Sequence, residues 1–144
     1  MLYLSRYIIR NKDEYYRLLQ DTRDTGDYEA WIIYMLPGIE NTSRQTIRII
    51  KNIREIMADY KLRIRRDLPG IYSQDLLNNI FRHPYTKIDF LQRDIRKSRL
   101  AATKYLEILT SEGFLEKQKV GRYTFYINVP LLNALTNLPR MDTE

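Results

Sequence analysis

From residue 2 to about residue 66 the apolar positions recur three and four apart, and the pattern predicts helix throughout. Breaks are expected at Asn11, at Thr25, Gly26 and Asp27, and at Pro37 and Gly38. Asn11 or Asp13 is placed to cap a helix over residues 14–24 with Tyr15, Leu18 and Leu19 as its apolar stripe; Gly26 tolerates the left-handed conformation that ends it. Residues 28–36 are apolar nearly all round, which predicts a helix buried on most of its sides. Farther on, Ile50, Ile53, Met57, Tyr60 and Ile64 follow at spacings of 3, 4, 3 and 4, a two-heptad seam that asks for a helical partner. Neighbouring helices of the same chain are one such partner. A second copy, docked through Ile50, Ile53, Met57 and Tyr60 as a homodimer, is the other.

Asp67, Leu68, Pro69 and Gly70 make the clearest boundary, because Pro and Gly together do not continue a helix. Beyond it the pattern predicts three short helices and a hairpin. Ser73 is the N-cap of the first, over residues 72–82, which buries Leu76, Leu77, Ile80 and Phe81 and stops at Pro84. Ile88, Leu91 and Ile95 face inward on the second, over residues 87–95. Ser98 caps the third, over residues 99–112, with Ala102, Tyr105, Leu106 and Leu109 inside and Gly113 at its end. Two β-like runs, 114–119 and 123–128, meet through Val120, Gly121 and Arg122, and Tyr123, Phe125 and Ile127 alternate with Thr124, Tyr126 and Asn128 as in a half-buried strand. A last helical turn is expected over 130–136. The fold class is therefore mainly α, with residues 1–68 helical, residues 69–137 a winged helix-turn-helix, and residues 138–144 a disordered tail.

With 144 residues the chain has room for one domain or two small ones. It carries a formal charge of +6, divided evenly between its halves, which permits an acidic partner without requiring one. Having no Cys and one His removes disulfides, thiol nucleophiles and His-rich metal sites. Twelve Tyr against four Phe favour surfaces that are apolar at one end and wet at the other. No apolar run approaches the length of a membrane span, and no signal-peptide pattern follows Met1.

In DNA-reading winged helices the third helix enters the major groove and the hairpin touches backbone. Here the outward face of that helix carries Leu100, Thr103, Lys104, Glu107 and Ser111, with Arg99 at its edge. Glu107 in mid-face repels phosphate, and Leu100 favours a protein partner or a packed position. Arg93, Arg96 and Lys97 before the helix and Lys117, Lys119 and Arg122 in the wing supply further positive charge for backbone contacts. The candidate nucleic-acid or partner-binding residues are thus Arg93, Arg96, Lys97, Arg99, Leu100, Thr103, Lys104, Lys117, Lys119 and Arg122. A solvated basic face used for protein contacts explains the same set.

The opening residues LYLSRYIIRNKDEYYRLLQ (2–20) and YEAWIIYML (28–36) resemble the last helices of Fic-domain proteins, where a LYLSxYI…YYxLL segment precedes a W(I/L)xxML helix. PYTKI (84–88), KYL..L…GFL (104–115) and VGR..FYIN (120–128) are similar to the C-terminal domain that many bacterial Fic proteins carry. Ala101 departs from the pattern at a position where the family often has Thr. The resemblance implies a cytoplasmic protein that transfers AMP, or occasionally another phosphate-containing moiety, from a nucleotide to a hydroxyl side chain of a target. ATP and magnesium are the cofactors of the full-length family.

The loop that performs this chemistry in the family, HxFx(D/E)GNGR, does not occur in the chain, and its five Gly never fall within two residues of one another. His83, Pro84 and Tyr85 imitate its opening but continue into Thr86, Lys87 and Ile88, with nothing for metal or phosphate. The family's inhibitory signature, (S/T)xxxE(G/N), fails at Ile108 for Glu112 and Gly113, and at Leu36 for Glu40 and Asn41. The expectation is a non-catalytic C-terminal region, without catalytic residue, cofactor or metal of its own. Its partners are then an upstream Fic core, DNA or a target protein, and no membrane. The alternative is a free-standing winged-helix DNA-binding regulator.

Overall fold

A computed structural model describes residues 4–136. The order is α1 (Leu4–Arg10), α2 (Lys12–Thr25), α3 (Glu29–Asp67), α4 (Gln74–Arg82), β1 (Tyr85–Thr86), α5 (Ile88–Ile95), α6 (Arg99–Ser111), β2 (Glu116–Val120), β3 (Tyr123–Ile127) and α7 (Val129–Thr136). The mainly helical class holds, with a small antiparallel sheet of strand order β1-β3-β2. The expected tail lies outside the described residues. Two compact units divide at Ile50 and Lys51, inside α3, because Tyr60 and Ile64 near its end belong to the core of the second.

The first unit contains α1, α2 and the opening turns of α3. Gly26 ends α2 in the left-handed region at φ 75°, while Asn11 holds the N-cap position without a side-chain bond. No break occurs at Pro37 and Gly38: α3 runs through both. Pro37 removes the amide that normally bonds the Ile33 carbonyl, which costs about 3 kcal/mol in a free helix. Tertiary contacts hold the segment helical. The Tyr7 hydroxyl donates to the neighbouring Tyr34 carbonyl at 3.1 Å, and the Tyr34 hydroxyl donates to the Asn11 carbonyl at 3.1 Å. The rings of Tyr7 and Tyr34 lie 5.5 Å apart, and a Cβ built on Gly38 falls 2.4 Å from the Tyr7 ring. Gly38 is therefore a seat for that ring rather than a helix breaker.

The segment over residues 28–36 is not buried on most sides. Met35 is buried and Trp31 and Tyr34 are half-buried, but Tyr28, Ile32, Ile33 and Leu36 are all exposed. The described part of the first unit buries two large apolar side chains, Leu18 and Met35. Among the described residues, α1 and α2 leave the rest uncovered.

The second unit closes well. Tyr60, Ile64, Leu76, Leu77, Ile80, Leu91, Ala102, Leu106, Leu109, Phe114, Leu115 and Tyr126 form one core. Ser73 caps α4 by accepting from the Leu76 amide, and Ser98 caps α6 by accepting from Ala101. Val120 pairs with Tyr123 across the Gly121 turn, with Gly121 at φ 58°. Part of the proposed dimer seam packs within the chain: Tyr60 is 3% exposed, and the partly buried Met57 lies against the same core. Ile53 is half-buried and Ile50 is exposed.

The face of β3 is the reverse of what alternation of apolar residues suggests. Tyr126 and Asn128 are buried, whereas Tyr123 is half exposed and Phe125 and Ile127 are only partly covered. The polar tips of the buried pair are satisfied. Asn128 donates to the Ile80 carbonyl at 3.1 Å and accepts from the Leu131 amide, and Tyr126 donates to Glu107. The two-residue strand β1, unanticipated in the sequence, pairs Thr86 with Tyr126.

Gly38→Ala tests the ring seat. The clash should destabilise the first unit by about 1–3 kcal/mol in denaturant unfolding. In a Tyr7→Ala background the same change should become stabilising, by up to about 1 kcal/mol, because Ala is the better helix former. An unchanged sign would mean that the ring does not rest on Gly38.

Candidate functional site

Helix α6 presents the candidate surface. Ala102, Leu106 and Leu109 are fully buried, which turns Leu100, Lys104 and Ser111 outward. Leu100 is 80% exposed, the most exposed large apolar side chain among the described residues. Thr103 is half-buried and spends its hydroxyl on the Arg99 carbonyl at 2.9 Å.

Much of the positive charge expected around α6 is committed within the chain. Lys117 of β2 pairs with Glu107 at 2.6 Å, Arg93 pairs with Asp94 at 3.3 Å, and Arg99 pairs with Asp89. Arg96, Lys97, Lys104, Lys119 and Arg122 make no ion pair among the described residues. Arg96 ends α5 in the left-handed region at φ 52°, and Arg122 lies over the Tyr123 ring at 5.2 Å. Glu107 does not stand in mid-face as a bare repulsive charge. It leans onto the sheet, accepting from Lys117 and, at 2.8 Å, from the Tyr126 hydroxyl. The Lys117 hydrogen bond first, and the Tyr126 one after it, hold the Glu107 carboxyl below the usual range. Burial, with Glu107 beside it, pushes the Tyr126 phenol up to about 12.

A second polar network ties α4 to α5. Thr86 donates to Asn79 at 2.7 Å, and Asn79 and Arg82 donate to Asp94 at 2.8 and 2.9 Å. Burial pushes the Asp94 carboxyl up, but the bonds from Asn79 and Arg93 and the charges of Arg82 and Arg93 outweigh it and hold the group low. Beside this network is a shallow groove of about 230 Å³ shared by Arg82, His83, Tyr85, Phe90 and Arg93. His83 follows α4 as its C-cap and stacks on Tyr85 at 6.4 Å. No group of three acidic, His or Cys side chains among the described residues is placed to hold a metal ion.

Sequence reasoning missed the outer face of the sheet. Tyr85 on β1 opposes Ile127, and Tyr123 and Phe125 share that side of β3. The Lys87 ammonium sits among three rings, 4.6 Å from Phe125, 5.0 Å from Tyr123 and 5.7 Å from Phe90. Tyr85 meets Phe125 edge-on at 5.5 Å. The signal was present as the alternation of Tyr123, Phe125 and Ile127 with Thr124, Tyr126 and Asn128, which marks a half-buried strand without saying which face stays in solvent.

No helix among the described residues is long and apolar enough to cross a membrane. Residues 56–131 match the family model described as protein adenylyltransferase SoFic-like, C-terminal domain. The match takes in the end of α3 and the second unit as far as the start of α7.

The Tyr126 contact carries a pH signature. A phenol raised in the folded state contributes stability that is complete below the ordinary value near 10, and that is lost as pH rises toward about 12. Wild-type protein should therefore lose stability over that interval more steeply than Tyr126→Phe in alkaline denaturant titrations. In ultraviolet titration the wild-type minus Tyr126→Phe difference should show one phenol ionising near the upper value. A difference centred near 10 would show that Tyr126 does not sit in this contact.

Proposed function

Because the chain belongs to the SoFic-like C-terminal family of protein adenylyltransferases, we propose that it is the non-catalytic C-terminal region of such an enzyme. The first unit packs on an upstream catalytic domain, and the second presents α6 to a protein partner. The observation that carries this reading is the uncovered apolar surface of the first unit. Tyr28, Ile33 and Leu36 are 60, 59 and 56% exposed, and the half-buried Trp31 has an indole N–H that is inaccessible and unpartnered. Surface of that kind belongs to a core that other helices complete.

Target modification is then the work of the upstream domain. Magnesium and ATP find no fit among the described residues, which offer neither a carboxylate cluster nor a glycine-rich turn. On α6, the exposed Leu100 and the ion pairs that occupy Arg99 and Lys117 favour a protein partner. A duplex-DNA reading is favoured instead by the unpaired Arg96, Lys97, Lys104 and Lys119.

Three measurements test this. A separately expressed domain bearing the HxFx(D/E)GNGR loop of the same protein should co-purify with the chain and suppress its binding of a hydrophobic dye. Ile33→Asp with Leu36→Asp should abolish both effects while leaving the melting of the second unit unchanged; co-purification that survives the pair of changes refutes the assignment. With Mg-ATP the chain alone should label no protein with AMP, and labelling would overturn the non-catalytic reading. In a gel shift with duplex DNA at low salt, Arg96→Glu with Lys104→Glu should change nothing. A strong shift that this variant removes would replace the protein partner by DNA.

A further inference from the structure

The outer face of the sheet is built unlike a solvated surface. Tyr85 and Tyr123 are 42 and 50% exposed, and between them stand Phe125 and the Lys87 ammonium. Lys87 makes no ion pair among the described residues. Arg122 lies over Tyr123, and Arg93, over Phe90, borders the groove that Tyr85 lines. Of the acids nearby, Asp94 is saturated by its three partners, and Glu116 stands across Ile127 from Tyr85, at the end of β2 farthest from Tyr123.

An apolar protein surface laid here strips water from Lys87 and Arg122 and gives them no counter-charge. An acidic peptide answers the cations but leaves the rings without flat partners. One ligand chemistry answers both: a polyanion with planar aromatic groups along it. Tyr123 and Phe125 stand two residues apart on one strand, about 6.6 Å, which suits successive bases of an extended single strand. In a duplex the base faces are hidden.

We propose that the outer face of β1 and β3 binds single-stranded nucleic acid, with bases stacked on Tyr85, Tyr123 and Phe125 and phosphates held by Lys87 and Arg122. The α6 surface is a separate one. That helix reaches the opposite face of the sheet, where Glu107 meets Tyr126, so the proposal does not depend on what α6 binds.

The test uses the whole chain and a fluorescent oligothymidylate of about fifteen residues, read by anisotropy at about 50 mM salt. Binding should be at least about tenfold tighter than to a duplex of the same length, because only the single strand stacks. Tyr85→Leu with Tyr123→Leu should weaken it by about tenfold or more, the loss expected for even one stacked base, whereas Lys104→Glu on α6 should leave it unchanged. An oligonucleotide carrying 5-iodouracil should crosslink to Tyr85, Tyr123 or Phe125, a readout that holds even where a variant is poorly folded. Absence of binding, equal affinity for the duplex, displacement by polyglutamate as effective as by unlabelled oligothymidylate, or crosslinks confined to α6 would each overturn the proposal.

Discussion

The Tyr60 side chain decides where the second unit begins. Its ring stands edge-on to Phe81 and to Phe114, each at 5.2 Å, and its hydroxyl donates to the Phe114 carbonyl at 2.8 Å. That carbonyl lies just past the end of α6, where the chain turns into β2. A buried carbonyl without its donor costs about 1–3 kcal/mol, and burial raises the Tyr60 phenol, keeping it in the protonated form that donates. Ile64, one turn farther along α3, has no exposed surface at all. The last turns of α3 are thus a wall of the winged-helix-like core, and the Pro69-Gly70 turn lies inside the second unit.

Burial divides the two units more sharply than composition does. In the second, the helices and sheet cover one another's apolar stripes. In the first, α1, α2 and the start of α3 hold one another through Tyr7, Tyr15 and Tyr34 but leave a row of Ile and Leu on the outside, together with an open groove of about 540 Å³ lined by Tyr16, Leu19 and Tyr28. Tyrosine suits such a unit. A ring packs while its hydroxyl still finds a backbone carbonyl, as Tyr7 and Tyr34 both do.

What was legible in the sequence is what is local. Ser73 and Ser98 cap their helices, Gly26, Gly113 and Gly121 take positive φ, and the order of short helices and hairpin follows from periodicities within each segment. Features decided by distant residues were not legible. Pro37 stays helical because α1 supplies a ring and a hydroxyl, and nothing near Pro37 announces either. Of the ten candidate cations, apolar and polar residues around α6, Arg99 and Lys117 lose their free charge to acids ten residues away in sequence, and Arg93 loses its charge to the half-buried Asp94 of a network that begins at Thr86. A charge that looks available in one dimension is spent in three.

The sheet shows why the more polar set went inside. In a strand the side chains alternate, so a one-residue slip exchanges the two faces. Hydrophobicity alone prefers Tyr123, Phe125 and Ile127 within. Yet Tyr126 and Asn128 bring polar groups that reach Glu107, the Ile80 carbonyl and the Leu131 amide, while Thr86, opposite Tyr126 across the pairing, reaches Asn79. Each of these bonds is lost if the strand slips, leaving several polar groups buried and unpaired at once, a larger cost than leaving two aromatic rings half wet. The polar network therefore fixes the register, and the aromatic residues it displaces become the exposed surface around Lys87.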